Sequence, residues 1–256
     1  MKLIQSRDNA FFKSLKRLAE SGRERRKTGQ TLLDGVHLVE AYEAAFGPVD
    51  ALVVAESALA NGEITQLLAG REPVVLADVL MRDLGLVDTP SGLIAMAAMP
   101  QQAAALDLSA DAIVLDGVQD PGNVGTLLRT AAAAGISQAI LGPGCASPWS
   151  PKVLRAGQGA HFVLAIHEEV DLSVFMADYH GTTAVTTLEL ATSLYEARWS
   201  GPLAWVFGAE GQGVRPELLA AAGLRIRIPM PGKIESLNVA AAAAVCLFEV
   251  LRRRLA

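Results

Sequence analysis

The sequence predicts an α/β protein in which a mostly parallel sheet carries helices on both faces and is preceded by a smaller α/β domain. From residue 112 onward, short apolar strand patterns alternate with helical patterns, which is typical of a parallel sheet covered on both sides. Clusters of glycine and polar residues follow directly after several of these strands. Because ligands of open α/β sheets bind at the carboxyl ends of the strands, we expect the functional site there.

Composition limits the class of protein. A chain of 256 residues with 51% apolar residues and a mean hydropathy of +0.32 can bury a sizeable core in one or two domains. No apolar run approaches the roughly 20 residues of a membrane-spanning helix, and the N-terminus lacks an apolar signal segment. We therefore expect a soluble, cytoplasmic protein. Cys145 and Cys246 lie far apart without partners at metal-ligand spacing, which predicts neither a disulfide framework nor a metal site.

The smaller domain is predicted over residues 1–100 and the larger over 107–256. In the first, apolar periodicity indicates helices at 8–20, 35–46, 63–69 and 78–84 and strands at 49–54, 73–76 and 91–99. Residues 100–110 break the periodicity and predict a linker.

The larger domain follows a repeating pattern of strands and helices. Strands are predicted at 112–115, 138–141, 162–166, 182–186, 203–207 and 224–228. Helices are predicted at 123–134, 151–156, 172–179 and 216–222, followed by a long final helix at 237–251.

Residues 1–27 form a basic segment. They contain nine Lys or Arg against three acidic residues, a net charge of +6, so that the remainder of the chain carries −11. A basic N-terminal arm on an acidic body is expected of a protein that binds a polyanion. A solvated helix face would show the same run of charges, so the sequence leaves both interpretations open.

Three clusters of glycine and polar residues follow predicted strands. LDGVQDPGNVGTLLR occupies 115–129, VFGAEGQGV occupies 206–214, and IRIPMPGKIESLNV occupies 226–239. In the last cluster Ser236 lies where the long final helix needs an N-cap, and Asn238 is free to point into the space that the loop encloses.

A glycine-rich turn after a strand also raises the alternative of a dinucleotide site. The glycine order in 206–214 is GxxGxG instead of GxGxxG, and it occurs late in the chain. Arg225 and Arg227 lie where an acidic partner for the ribose would be expected. These mismatches disfavour a nicotinamide cofactor.

In this order and spacing, the three clusters resemble the signature motifs of the SpoU branch of the SPOUT methyltransferases. Members of that family transfer a methyl group from S-adenosylmethionine to a ribose 2′-hydroxyl of RNA, and the resemblance covers residue 112 to the C-terminus. Residues 30–99, with LLDGVHLVEAY and PSGLIAMA, are more loosely similar to the ribosomal-protein-like substrate-binding domain of the ribosomal-RNA members. Asp34 replaces the glutamate that is usual there.

The resemblance implies the residues of the reacting centre and a C-terminal trefoil knot. Arg129 would lie nearest the nucleophile, where a guanidinium can bind the adjacent phosphate and stabilise developing alkoxide charge. A general-base role for it is disfavoured, because an arginine loses its proton only above pH 12. Asn123 and Glu210 would hold the arginine and the knot loops in place, and Ser236 and Asn238 would position the ribose or the cofactor.

The resemblance also implies the cofactor site, and methyl transfer from S-adenosylmethionine requires no metal. Its cofactor-contacting positions correspond to Gly208, Ile228 and Leu237, with Thr187, Leu188, Gly211 and Met230 as neighbours. Ala240 departs from the serine that is common in the third motif, and a hydrogen bond could be lost there.

The function expected from the sequence is S-adenosylmethionine-dependent methylation of a ribose 2′-hydroxyl in ribosomal RNA by a homodimer. The long apolar final helix at 237–251 is expected to supply part of the dimer interface. Two alternatives stay open at this stage. One is methylation of transfer RNA, and the other is a non-catalytic RNA-binding protein of the same fold.

Overall fold

The computed structural model describes residues 2–87, 89–100, 105–234 and 236–255. The chain divides into two compact units. Unit 1 comprises Met1–Gln102 and Ser147–Phe162, and unit 2 comprises Ala103–Ala146 and Val163–Ala256. The predicted linker at 100–110 lies partly outside the described residues.

Strands and helices alternate along most of the described chain. In chain order the strands are β1 (Lys2–Ile4), β2 (Gln30–Asp34), β3 (Ala51–Ala55), β4 (Val74–Leu76), β5 (Leu93–Ala98), β6 (Ala112–Asp116), β7 (Gln138–Leu141), β8 (Ala165–His167), β9 (Thr182–Thr186), β10 (Thr192–Ser193), β11 (Leu203–Gly208) and β12 (Leu224–Arg227). The α-helices are α1 (Ala10–Glu20), α2 (Gly22–Thr28), α3 (Val36–Phe46), α4 (Gly62–Leu67), α5 (Asp78–Leu84), α6 (Pro121–Ala133), α7 (Pro151–Gly157), α8 (Leu172–Asp178), α9 (Pro216–Ala221) and α10 (Val239–Leu255).

The described part of unit 1 contains a five-stranded sheet in the order β1-β4-β3-β5-β2. Strands β1, β4 and β3 run parallel, while β5 runs antiparallel to β3 and β2. Successive residues of β3 alternate between two apolar clusters, Val53 with α1 and α5, and Val54 with α3, α4 and α7. Helices therefore cover both faces of this sheet.

The basic residues 1–27 are built into unit 1 and do not extend from it. They supply β1, α1 and most of α2. Arg25 is 5% exposed and donates hydrogen bonds to the carbonyls of Leu18 and Ala19 at the end of α1. Four other cations form ion pairs: Arg7 with Asp83, Lys13 with Asp8, Lys16 with Glu20 and Arg17 with Glu24.

Three cations of this segment point into solvent from α2. Arg23, Arg26 and Lys27 are exposed and make no ion pair with another residue that the structure describes. Their spacing along the helix places them on neighbouring positions of one face. The charge available for a polyanion is thus smaller and more localised than the net charge of +6 over 1–27 suggests.

The segment Ser147–Phe162 belongs to unit 1, although the sequence places it in the larger domain. Helix α7 packs on β2, where the Thr31 hydroxyl donates to the Trp149 carbonyl over 2.7 Å. Phe162 makes an edge-to-face ring contact with Tyr42 at 5.5 Å. Because Phe162 packs there, β8 begins at Ala165 and not at residue 162 as predicted. The functional division at 100–107 stays a prediction.

Unit 2 has a sheet in the order β10-β12-β9-β11-β6-β7-β8 among its described residues. Every paired strand in it is parallel. Strands β6, β7 and β11 are buried along their whole length, as expected for the centre of a covered parallel sheet. Helix α6 packs against α10, and α8 against α9. The predicted fold class is therefore confirmed.

Three features bear on what the chain can do chemically. Among the described residues, no helix is both long and apolar enough to cross a membrane. In the same residues, His, Cys, Asp and Glu side chains do not gather in groups of three or more that could hold a metal ion. Cys145 and Cys246 are both free thiols, and burial raises the pKa of Cys246 to about 12, so it stays protonated at neutral pH.

Candidate active site

A cleft of about 790 Å³ lies in unit 2, where the loops after β9, β11 and β12 meet the start of α10. All the predicted cofactor-contacting residues are on its wall: Thr187, Leu188, Gly208, Gly211, Ile228, Met230 and Leu237. So are three of the predicted polar residues, Glu210, Ser236 and Asn238. Because the strands are parallel, their carboxyl ends bring these distant parts of the sequence together.

The loop at 209–214 requires glycine for its own shape. A Cβ added at Gly208 would lie 2.1 Å from the carbonyl carbon of Gly213, so any side chain there would push the loop away from the strand. Gly211 and Gly213 have left-handed backbone angles, with φ of 83° and 72°, which glycine adopts without strain. The Gly213 N–H then donates to the Ala209 carbonyl over 2.9 Å and closes the turn.

A hydrogen-bond network joins the three sequence motifs beside the cleft. The Asn123 amide donates to Glu210 Oε1 over 2.7 Å, and the Asn238 amide donates to Asn123 Oδ1 over 3.0 Å. Glu210 Oε2 also accepts from the Gln119 N–H at 3.4 Å. Partial burial acts to raise the pKa of Glu210, but the hydrogen bonds from Asn123 and from backbone N–H groups outweigh it and lower the pKa. The carboxylate is therefore ionised at neutral pH.

Asn238, and not Ser236, caps the final helix. Its Oδ1 accepts from the N–H groups of Ala240 and Ala241 over 2.9 and 3.3 Å, which satisfies two of the unpaired donors of the first turn. The sequence prediction of a Ser236 cap is wrong, because α10 begins two residues later than that cap requires. The same Asn238 side chain thus caps α10 with its oxygen and holds Asn123 with its nitrogen.

Arg129 lies on α6 with its side chain exposed. It makes no hydrogen bond or ion pair with another residue in the described part of the chain. Neither Arg129 nor Asn123 is on the wall of the cleft, but Asn123 is tied to the wall through Glu210 and Asn238. The guanidinium is therefore available to a ligand from solution, and its predicted role at the reacting centre stays a prediction.

Sequence reasoning missed the buried carboxylate of Asp116 and its partner Arg215. Asp116 is 3% exposed at the end of β6, and its Oδ1 accepts from Arg215 Nε over 2.7 Å. The available signal was an aspartate closing an otherwise apolar strand, since such a residue is almost never buried without a partner.

The cleft suits the cofactor that the resemblance implies. Among the described residues on its wall there is no Lys or Arg, whereas Glu189 and Glu210 carry carboxylates. This charge fits a sulfonium cation and does not fit the pyrophosphate of a dinucleotide. Leu188 and Leu237 are 61% and 44% exposed, as expected of apolar side chains that a ligand covers. S-adenosylmethionine would be held by these side chains and by the backbone of the glycine loop.

Comparison with known proteins agrees with this geometry. Residues 111–248 match the SpoU rRNA Methylase family, and residues 9–95 match the MRM3-like substrate binding domain. The chain is 32% identical to the 23S rRNA (guanosine(2553)-2'-O)-methyltransferase RlmP of Bacillus subtilis, over 98% of this chain and 99% of that protein. It is 40% identical to the 23S rRNA (guanosine-2'-O-)-methyltransferase RlmB of Vibrio parahaemolyticus, over 56% of this chain and 60% of that protein.

Solved structures of RNA methyltransferases have the same fold as this chain. A crystal structure of an RNA 2'-O ribose methyltransferase superposes with a TM-score of 0.86 at 31% identity, covering 99% of this chain and all of that one. An AdoMet-bound rRNA methyltransferase from Sinorhizobium meliloti superposes with a TM-score of 0.80 at 26% identity, covering 100% of this chain and 98% of that one. A family match over more than half of the chain and a full-length relative at 32% identity show that this chain belongs to the SpoU rRNA methylase family.

Proposed function

We propose that this protein transfers a methyl group from S-adenosylmethionine to a ribose 2′-hydroxyl of ribosomal RNA. The observation that carries the proposal is the network of Asn123, Glu210 and Asn238 beside a cleft whose described wall residues include carboxylates and no Lys or Arg. Relatives named as ribosomal-RNA 2'-O-methyltransferases, one of them similar over its full length, support the choice of RNA class. Such a substrate would place the protein in the cytoplasm.

The chain's own residues have a limited task in this reaction. When bound, S-adenosylmethionine supplies an activated methyl group. The protein must align the ribose oxygen and favour loss of its proton. The free guanidinium of Arg129 binds the neighbouring phosphate and stabilises negative charge that develops on the ribose oxygen. We assign Arg129 an electrostatic role and not that of the general base, because a guanidinium is a very weak acid.

The polar network fixes the positions of the loops that form the cleft. Ionised Glu210 holds the Asn123 amide, and Asn123 holds the side chain that caps α10. Three loops that are far apart in sequence are thereby fixed relative to each other, while Ser236 faces the cleft and positions the ribose or the cofactor. We propose that the loops after β9, β11 and β12 are threaded as the family's trefoil knot, in keeping with their convergence on one cleft.

RNA recognition is proposed for unit 1. The match to a substrate-binding domain covers residues 9–95. Within it, α2 offers Arg23, Arg26 and Lys27 as exposed cations, and cations neutralise RNA phosphates whatever the base sequence. Removing residues 1–27 would not test this idea, because Leu15 and Leu18 of that segment are core residues. Replacement of the three α2 cations by alanine is the appropriate variant.

A homodimer is proposed from the second face of α10. One face is buried in unit 2 through residues such as Ala243 and Leu247. Another carries Ala241, Val245 and Phe248 at helical spacing, with Phe248 47% exposed. An exposed apolar stripe of this kind suits a second copy of the chain. Sedimentation should show a dimer that Phe248→Glu dissociates; a wild-type monomer at micromolar concentration would rule the dimer out.

The test of the proposed function is direct mapping of ribose methylation. Purified protein, S-adenosylmethionine and unmodified ribosomal RNA should yield a methylated ribose, whereas transfer RNA should not. Asn123→Ala removes both bonds of the network and should slow methylation at least tenfold with cofactor binding retained. Thr126→Ala, one turn along the same helix, should behave as wild type. Absence of methyl transfer to any RNA would support the non-catalytic alternative, and transfer to transfer RNA alone would support the other.

Cofactor binding can be tested separately by calorimetry in the presence of a chelator. S-adenosylmethionine should bind without metal. Gly208→Ala should weaken binding by an order of magnitude or more, because its Cβ would displace the loop that begins there. Gly62→Ala in α4 is the control, since nothing lies within 4 Å of a Cβ at that position and its backbone is not left-handed. Unchanged affinity of a folded Gly208→Ala protein would contradict the assignment of this cleft.

A further inference from the structure

Asp116 lies beside the start of the loop that forms the cleft wall. It is the last residue of β6 and pairs in register with Gly208, the last residue of β11. Its side chain is almost completely buried, at 3% exposed. Gly208 opens the loop at 209–214, which carries Glu210. The backbone of Asp116 therefore holds the entry of this loop.

The side chain of Asp116 holds the exit of the same loop. Oδ2 accepts from the Arg215 backbone N–H over 2.8 Å, and Oδ1 accepts from Arg215 Nε over 2.7 Å. Arg215 directly follows the loop and is the N-cap position of α9, where its own side chain makes no capping bond. A charge-assisted pair of bonds to one carboxylate fixes both the position and the orientation of the donor group.

Between these two points the loop has few other restraints of its own. The Gly213–Ala209 bond closes its turn, and Glu210 reaches out to Asn123. If the exit at Arg215 were released, the loop could pivot about Gly208 and carry Glu210 away from its partner. The geometry of the network thus depends on a residue that makes no hydrogen bond to Asn123 and whose own side chain is not part of the cleft wall.

We propose that Asp116 is a positioning residue that clamps the entry and exit of the loop at 209–214 and thereby holds Glu210 in the network and the cleft in its binding shape. The inference rests on the proposed function for its catalytic consequence. Its structural consequence, the order of the loop in the free protein, can be measured without any cofactor or RNA.

The opposite end of β6 provides a matched control. Asp111 directly precedes the strand, and its Oδ1 accepts from the Leu203 backbone N–H over 2.8 Å. Asp111 also forms an ion pair with Arg254. A carboxylate that holds one backbone N–H and one guanidinium thus occurs at both ends of β6, but only Asp116 lies at the loop of the cleft. If Asp116 only stabilised the sheet, asparagine at Asp116 and at Asp111 would have the same effect on the loop at 209–214.

The experiment compares Asp116→Asn with Asp111→Asn in the full chain. Asparagine is nearly isosteric but leaves one acceptor oxygen where two donors need one each. Hydrogen exchange of the free protein should show faster exchange at 209–214 for Asp116→Asn only. The dissociation constant of S-adenosylmethionine should rise about tenfold, a change equivalent to about 1.4 kcal/mol, and the single-turnover methylation rate should fall further at saturating cofactor. RNA affinity should not change.

Arg215→Met is the second variant, in case Asp116→Asn does not fold. It removes the guanidinium but keeps the backbone N–H bond, so it should show the same changes to a smaller degree. The inference is overturned if the folded variants match Asp111→Asn in loop exchange and cofactor affinity. If wild type fails to methylate RNA while Asp116→Asn still loosens the loop, the proposed function fails and the positioning role stands.

Discussion

Among the described residues, each unit buries one aspartate at the end of a strand, and the two carboxylates are held very differently. Asp34 ends β2 and is 0% exposed, and Asp116 ends β6 and is 3% exposed. Both oxygens of Asp116 accept hydrogen bonds from Arg215. Neither carboxylate oxygen of Asp34 meets hydrogen-bond geometry with a partner among the described residues. Ser91 is only near enough to lower the pKa of Asp34, and Arg155 is 3.5 Å away.

The difference shows when a buried charge fixes local structure and when it lowers the stability of the fold. Burial raises the pKa of Asp34, and the charge of Arg155 and the nearby Ser91 only partly counteract it. An ionised group without hydrogen bonds costs free energy in the interior, whereas a fully bonded one can fix local geometry. Unit 2 thus uses its carboxylate to order a loop, while unit 1 carries one that destabilises the ionised protein.

The largest expected effect concerns another buried ionisable group of unit 1. His161 is 2% exposed and donates from Nε2 to the Pro148 carbonyl over 2.9 Å. Burial lowers its pKa from 6.5 to about 4, although the bond to Pro148 opposes this. The unfolded chain therefore binds the extra proton between pH 6.5 and 4. Stability from this residue should be complete above pH 6.5 and fall by about 3 kcal/mol on going to pH 4.

Urea denaturation at a series of pH values measures this slope. His161→Gln cannot take up the proton and should flatten the slope between pH 6.5 and 4, whatever its own stability. His37→Gln replaces an exposed histidine of the same unit and should leave the slope intact. If His161→Gln left the slope unchanged, burial would not lower the pKa of His161, and this prediction would be wrong.

A smaller effect is expected from removing the cation beside Asp34. Arg155→Ala leaves a buried carboxylate without a counter-charge and should lower the free energy of unfolding by about 2 kcal/mol, less than for a fully buried pair because Arg155 is half exposed. Asp34→Asn added to Arg155→Ala should restore most of the loss. Arg82→Ala, an exposed arginine of unit 1, should cost little. Additive effects of the two substitutions would show that the pair is not coupled.

The smallest and most direct comparison is of the two aspartates themselves. At pH 7, Asp34→Asn should raise the free energy of unfolding by about 1 kcal/mol, because it removes an unbonded buried charge. Asp116→Asn should lower it by a similar amount, because a bonded acceptor is lost. Since the folded protein binds the Asp34 proton more tightly than the unfolded chain, the gain from Asp34→Asn should vanish as pH falls toward 3.8. If both substitutions changed the free energy of unfolding in the same direction at pH 7, the proposed difference between the two aspartates would be wrong.

The contrast between the units also marks the limit of sequence-based prediction. The strands of unit 2 are predictable because buried parallel strands such as β11, and β6 as far as Leu115, are uninterrupted apolar runs. In unit 1, β2 was missed, since its buried residues include Thr31 and Asp34 and show no alternation. Strand β1 is only three residues long, and its place in the sheet depends on pairing with β4, which local pattern cannot reveal.

The resemblance to the family motifs identified the polar residues beside the cleft. It did not show which of them bond to each other. The sequence offered both Ser236 and Asn238 as polar residues ahead of α10. Asn238 caps α10 because the helix begins at Val239, and the same side chain bonds to Asn123, which is 115 positions away. The clamp of Asp116 on Arg215 likewise joins residues 99 positions apart. Such contacts arise from the order of strands in the sheet and are visible only once the fold is known.

The single-turnover rate of ribose methylation at saturating RNA tests the central claim most directly: unit 2 performs the chemistry and unit 1 recognises the RNA. Arg129→Ala should lower this rate by orders of magnitude with little change in RNA affinity, because its interaction is strongest in the transition state. Alanine at Arg23, Arg26 and Lys27 should weaken RNA binding and its salt dependence but leave the saturated rate unchanged. A near-normal rate for Arg129→Ala, or a lost rate for the triple variant, would contradict the account.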